Sequence, residues 1–162
     1  MLNNDILRSV RNILDIRDPK IIEIAKLTNY DVSLDDVVSF LKKEEDPGFK
    51  KCDDIFMSHF LDGLIIYKRG KKEPQALSPT PAPPVSHVIT NNLVLKKLRV
   101  AFELKEEDIL SLLENAGFKA SKPEISAIFR NEQHRNFRPS GDQFLRNFLK
   151  GLTHKIRGIK KS

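Results

Sequence analysis

Apolar residues recur along the chain at spacings of three and four, the period of an amphipathic helix, and no segment alternates with period two for long. The first such stripe holds Ile6, Leu7, Val10 and Leu14. A later one holds Leu95, Leu98 and Phe102. Start signals sit where these stripes begin. Asn4 and Asn92 are expected N-caps for the two stripes. Asp18-Pro19 opens a second helix, since proline near the first position removes only an N–H that has no helical partner. The acidic run Glu106, Glu107 and Asp108 suits the positive end of its counterpart. Ser121 with Glu124, and Ser33 with Asp36, predict capping boxes for third helices; Ser140 with Gln143 predicts another for the last helix. That last helix carries Phe144, Leu145, Phe148, Leu149, Leu152 and Ile156 on one stripe, echoed by Phe56, Met57, Phe60, Leu61 and Leu64. The expected fold class is all-α.

The echo extends over the whole pattern. Residues 3–70 align without a gap on residues 91–158 at a constant offset of 88, with Asn3, Asn4, Leu7, Arg11, Ile21, Ser33, Glu44, Phe49, Asp54, Phe60, Leu61, Gly63, Leu64, Arg69 and Gly70 identical in both copies. Between them, residues 71–90 carry prolines at 74, 79, 81, 83 and 84, which favour an extended, semi-rigid tether. The expected organisation is a first helical repeat at 1–70, a Pro-rich linker at 71–90, a second repeat at 91–158 and a basic tail at 159–162, with about four helices per repeat forming two small bundles. Positions kept identical in both copies are expected to serve the common fold. Arg11 with Asp54, and Arg99 with Asp142, are candidate ion pairs. Gly63 and Gly151, each costing about 1 kcal/mol against alanine inside a helix, point to close helix crossings. Phe49 and Phe137 are expected to plug the two cores from the loop before the last helix.

Charge separates the copies. The formal net charge is +6, yet residues 1–70 hold 11 Lys or Arg against 13 Asp or Glu, while residues 91–162 hold 15 against 8. The excess lies after Phe129, where Arg130, Arg135, Arg138, Arg146, Lys150, Lys155, Arg157, Lys160 and Lys161 face only Glu132 and Asp142. Helical spacing puts Arg146, Lys150 and Arg157 on one face opposite the apolar stripe, flanked by His154 and Lys155. Such a footprint suits nucleic-acid phosphates, RNA or DNA, with Asn131, Asn136 and Asn147 as further hydrogen-bonding groups. A plain solvated face is the competing reading, and so is docking of the acidic copy, with Glu44, Glu45 and Asp46, on the basic one. The first copy instead places Ile65, Ile66 and Tyr67 where the second has Thr153, His154 and Lys155, an apolar replacement that marks a candidate interface with the other repeat or a protein partner.

Other chemistry finds little support. No run of about 18 uncharged apolar residues exists, the opening MLNNDILRSVRN lacks a secretory layout, and one cysteine excludes an internal disulfide framework, so the expected compartment is the cytosol and no membrane partner is expected. The histidines at 59, 87, 134 and 154 lack metal-ligand spacing, and no glycine-rich phosphate loop is present. Cys52 sits near a helix start, where its pKa would fall. The stretch EDILSLLENAGFKASKPEISAIFR has the outline of a helix-turn-helix, but its turn is too long, and an ordinary helical corner explains it better. No catalytic, metal or cofactor residue is assigned.

The segments NNDILRSVRNILDI, DPGF and FLDGLIIYKRG, followed by NNLVLKKLRVAFEL and GDQFLRNFLKGL, resemble the YehS family of bacterial proteins, a domain of unknown function (DUF1456). The resemblance covers the chain outside the linker and includes its duplication. It implies a bacterial origin and a shared helical fold, and implies no activity. The residues themselves favour a non-enzymatic binding or regulatory protein acting on nucleic-acid phosphates through the second repeat. The alternative is a protein-interaction adaptor using Ile65, Ile66 and Tyr67.

Overall fold

The computed structural model describes residues 1–70 and 88–158; most of the Pro-rich linker, His87 and the basic tail lie outside the described residues. Among the described residues there are eight helices and no strand: α1 (Asn3–Leu14), α2 (Asp18–Lys26), α3 (Leu34–Leu41), α4 (Asp54–Arg69), α5 (Asn91–Ala101), α6 (Glu106–Asn115), α7 (Lys122–Ile128) and α8 (Asp142–Arg157). The fold is all-α, with four helices per repeat.

Within each repeat the second helix crosses the fourth in antiparallel fashion, and glycine sets the closeness of the crossing. A Cβ on Gly63 would lie 2.0 Å from the Ile24 carbonyl oxygen of α2, and one on Gly151 would lie 2.1 Å from the Leu112 oxygen of α6. The helix interior tolerates glycine here because only a hydrogen fits between the two backbones.

The paired asparagines do not cap helices. Asn4 is fully buried in the first turn of α1, where its Nδ2 donates to the carbonyls of Phe40 and Lys50, both at 2.9 Å, and its Oδ1 accepts from Cys52 N–H at 3.0 Å. Asn92 repeats all three bonds, to Ile128 and Arg138 carbonyls and from Ser140 N–H. One amide thus ties the first helix to the end of the third and to the strand-like approach of the fourth. It satisfies backbone groups that the intervening loop leaves unpaired. Capping falls to neighbours: Thr90 Oγ1 accepts from Leu93 N–H, and Asp5 accepts from Leu2 N–H. The Ser121–Glu124 capping box forms, and Ser33 Oγ accepts from Asp36 N–H. The expected Ser140–Gln143 box does not, because Ser140 N–H is taken by Asn92 and α8 starts one residue later, with Gly141 as its cap.

The two repeats close on one another around a single apolar core that runs through both. α1 packs mainly on α8, and α5 on α4, so each repeat's first helix rests on the other repeat's last. Polar bonds at both ends of each seam show that the paired helices run parallel. Asn3 Nδ2 donates to Asp54 Oδ1 at 2.7 Å, while Ile89 N–H from the second repeat donates to Asp54 Oδ2 at 3.1 Å. Asn91 Nδ2 and the Met1 ammonium treat Asp142 in the same way, at 2.9 and 2.8 Å. At the opposite ends Arg69 approaches Glu103 at 3.9 Å and Arg157 approaches Asp15 at 3.5 Å. Asp15 and Glu103, both left-handed with φ of 53° and 52°, are equivalent by the 88-residue offset, as are the two arginines. The seams are therefore related by a pseudo-two-fold axis.

Asp54 and Asp142 are taken up in this way, so the Arg11–Asp54 and Arg99–Asp142 pairs do not form. Arg11 Nε donates to Asp18 at 3.0 Å, and Arg99 Nε donates to the Leu104 carbonyl at 3.1 Å with its guanidinium over the Phe129 ring. Phe49 and Phe137 are half-buried in their loops and lie outside the core, whose last aromatic layer comes from the fourth helices themselves. Ile156, expected in the α8 stripe, is exposed.

Three outcomes test this architecture. Asn4→Ala leaves two carbonyls and one N–H without partners and is expected to cost about 3 kcal/mol, read as a lower denaturant midpoint with an unchanged slope. Gly63→Ala should destabilise by about 3 kcal/mol, because the obstacle is a backbone oxygen that cannot rotate away, whereas intrinsic helix propensity alone would give a gain of about 1 kcal/mol. The Met1 ammonium, then Asn91, hold the Asp142 carboxyl below its ordinary value of 3.8. A carboxyl depressed by folding stabilises above its unfolded pKa and loses that contribution as pH falls through the folded value. Acid titration below about pH 4 should therefore weaken the α1/α8 seam, and Asp142→Asn should flatten that part of the acid unfolding profile.

Candidate nucleic-acid interface

The seven basic residues singled out by sequence fall into four settings. Arg146 and Lys150 are exposed, one turn apart on α8, and share a helix face with Asp142 and Arg157. That face borders α1, since Asp142 binds the Met1 ammonium just ahead of that helix and Arg157 bonds to Asn12 within it, so the basic face flanks the inter-repeat seam instead of standing opposite the apolar stripe. Arg157 is committed there: its Nη1 donates to the Asn12 carbonyl at 2.7 Å and neighbours Asp15. The C-terminal carbonyls of α1 thus receive a cation from α8.

Arg130, Arg135 and Arg138 lie in the loop between α7 and α8, Arg130 half-buried and the others exposed. Local bonds shape this loop. Arg138 N–H donates to the Ala127 carbonyl, Asn136 N–H to His134 Nδ1, and Gln133 N–H to Asn131 Oδ1. Asn131 and His134 therefore serve the turn, while Asn147 Nδ2 bonds back to the Gln143 carbonyl within α8.

Lys155 belongs to a different surface. With His154 it lines a groove of ≈ 230 Å³ between α6 and α8, together with Asp108, Ser111, Leu112, Asn115 and Gly151, and His154 Nδ1 meets Asn115 Oδ1 at 2.8 Å. The equivalent positions between α2 and α4 are Lys20, Glu23, Ile24, Leu27, Gly63, Ile66 and Tyr67. Here Leu27, Ile66 and Tyr67 stand where the second repeat has Asn115, His154 and Lys155, beside the Lys20–Glu23 ion pair. Leu27 and Tyr67 are 39% and 40% exposed, and Lys20 Nζ stands 5.6 Å above the Tyr67 ring. Ile65 turns elsewhere: it is half-buried against the core on the α4 face that carries Asp62, bonded to Lys97 of α5, and Arg69, which approaches Glu103 just past the end of α5.

The contrast between the seams is electrostatic. In the α4/α5 seam Lys97 Nζ meets Asp62 Oδ1 at 2.6 Å. The equivalent positions in the α1/α8 seam are Ser9 and Lys150, and Arg146 stands where α4 has Ser58. The second seam keeps the end contacts and loses the central acid.

Other residues resolve simply. Cys52 is buried beside Asp53 and Asp54, and burial followed by those two charges pushes its thiol pKa up, the reverse of the activation expected from its place near a helix start. His59 stacks on Tyr30 at 4.9 Å between ring centres and faces Thr28 Oγ1 at 3.1 Å. The acidic loop with Glu44, Glu45 and Asp46 is exposed and is not the means by which the repeats meet. Six residues separate α6 from α7, with Gly117 at φ +83°, and α7 is a short helix packed on α6. No helix among the described residues is long and apolar enough to cross a membrane. No group of His, Cys, Asp or Glu among them is placed to hold a metal ion.

The family profile described as "Protein of unknown function (DUF1456)" matches residues 3–70 and again 91–158, the two halves of the pseudo-symmetric core. The chain belongs to this family. Its relative in Escherichia coli (strain K12), the uncharacterized protein YehS, is 49% identical over 152 residues, which is 94% of each chain. No solved structure matches the chain. The family's duplication is thus the duplication seen in the fold, with both copies needed to complete the seams.

Proposed function

We propose that this DUF1456 protein is a cytosolic, non-enzymatic binding or regulatory protein that engages RNA or DNA phosphates through its second repeat. The observation that carries the reading is the pair Arg146 and Lys150. Both are exposed, both flank the α1/α8 seam, and neither is in an ion pair among the described residues. Asp142, the acid nearest them on α8, is already held by Met1 and Asn91. The same positions in the first repeat are a serine and a paired aspartate, so the cations are not a requirement of the fold. Exposed arginines 135 and 138 extend the footprint, while Arg157 and Lys155 contribute less because one is bonded to α1 and the other lies in the α6/α8 groove. Recognition of this kind reads phosphate charge and carries no base code.

A second reading rests on the surface between α2 and α4, where Leu27, Ile66 and Tyr67, exposed or half-buried, take the places of Asn115, His154 and Lys155 in the second repeat. An adaptor would dock a protein segment there.

Because the repeats share a core, the test uses the full chain. Binding to labelled single-stranded RNA and double-stranded DNA is measured across a salt series for the parent, for Arg146→Glu with Lys150→Glu, and for Ile66→Asp, with thermal unfolding as the check on folding. The expected result is salt-sensitive binding by the parent and by Ile66→Asp. The double reversal should lower the slope of log affinity against log salt by about 2. Absence of binding at low salt, or binding indifferent to the reversal, overturns the phosphate reading.

A further inference from the structure

The two seams are equivalent in construction, and neither depends on which chain supplies the facing repeat. From this we propose that the repeats are competent to close in exchange, the first repeat of one copy on the second repeat of another through the same α1/α8 and α4/α5 seams, and that the length of the connection between them is what keeps the parent chain a closed monomer. The partner is a second copy of this chain.

Complementarity runs one way. The end contacts, Asp54 to the backbone nitrogen of 89, Asp142 to that of 1, Arg69 to Glu103 and Arg157 to Asp15, involve residues with the same role in both repeats, so they suit any pairing of two repeats. The central position does not. Pairing a second repeat with another second repeat would set Lys97 against Lys150, and pairing two first repeats would leave Asp62 facing Ser9. Only a first with a second repeat makes the Lys97–Asp62 bond. The seam therefore selects unlike repeats, which two chains supply as readily as one.

Chain geometry decides between the closed and exchanged forms. α4 and α5 are parallel neighbours, so the connection must return along α4, whose 16 residues are about 24 Å long. The 18 peptide steps from Gly70 to Val88 reach about 60 Å when extended, ample for closure within one chain. A tether of this reach presents the second repeat to the first at about millimolar effective concentration, so the closed monomer prevails in dilute solution. Removing residues 72–87 leaves two steps, about 7 Å, which cannot span the return. Unlike repeats of one chain are then held apart, while those of two chains remain free to pair.

The test is the mass in solution, by light scattering and sedimentation, of the parent and of the chain lacking residues 72–87, with helicity followed by circular dichroism. The expected result is a monomer for the parent at micromolar concentration and a discrete dimer of parental helicity for the shortened chain. In the shortened chain Asp62→Lys should raise the dissociation midpoint by about tenfold, and adding Lys97→Asp should restore it, as a direct charge pair requires. A shortened chain that is monomeric, whether folded or unfolded, or that forms only polydisperse aggregate, overturns the proposal. So does a dimer whose midpoint ignores the charge exchange, since its interface would lie elsewhere.

Discussion

Two carboxylates hold the molecule's organisation in place. The N-terminal ends of α1, α4, α5 and α8 converge, and four positive helix ends would repel were nothing negative among them. Asp54 and Asp142 supply that charge, each in the first turn of a fourth helix. Each has one oxygen occupied by an asparagine of its own repeat and the other by the backbone nitrogen that leads into the opposite repeat's first helix. A single residue type therefore joins the folding of a repeat to its pairing with the other.

The remaining identities between the copies follow from that frame. Once the first helix leans on the opposite repeat, it has little contact with its own fourth helix and needs another attachment. The buried Asn4 and Asn92 amides provide it by binding three backbone groups each. The fourth helix, recruited to the seam on one side, must still meet the second helix on the other, and Gly63 and Gly151 bring those backbones together. Seam, amide staple and glycine crossing are three conditions on one helix arrangement, which explains why they persist where surface residues have diverged.

Divergence is concentrated on what the frame leaves free. The second repeat has Arg146 and Lys150 where the first has Ser58 and Asp62, and the first has Leu27, Ile66 and Tyr67 where the second has Asn115, His154 and Lys155. Two copies of one scaffold thus present two chemistries, a basic rim and an apolar strip. A duplicated fold whose core needs both copies can vary the outer face of either without losing the other.

Helix positions, the duplication and the close crossing at Gly63 were legible in the sequence because each is a local or periodic property: apolar spacing at 3.6 residues, caps at helix starts, glycine where propensity disfavours it. The basic excess after Phe129 was legible for the same reason, being a matter of composition. Partnership was not. Two homologous copies offer each polar residue kept in both an equivalent candidate in each repeat, and the linear chain cannot distinguish a bond made within a repeat from one made across the seam. Asp54 thus looked like a partner for Arg11 and proved to be shared by Asn3 and Ile89. Asn4 and Asn92 looked like caps because asparagine at a helix start is the common reading of that residue; only the returning loop, brought close by tertiary packing, gives their amides three backbone partners. The facing of Arg146 and Lys150 toward the α1/α8 seam was likewise decided by the parallel pairing of α1 with α8, since helical period orders residues on a cylinder and leaves open which neighbour the cylinder meets.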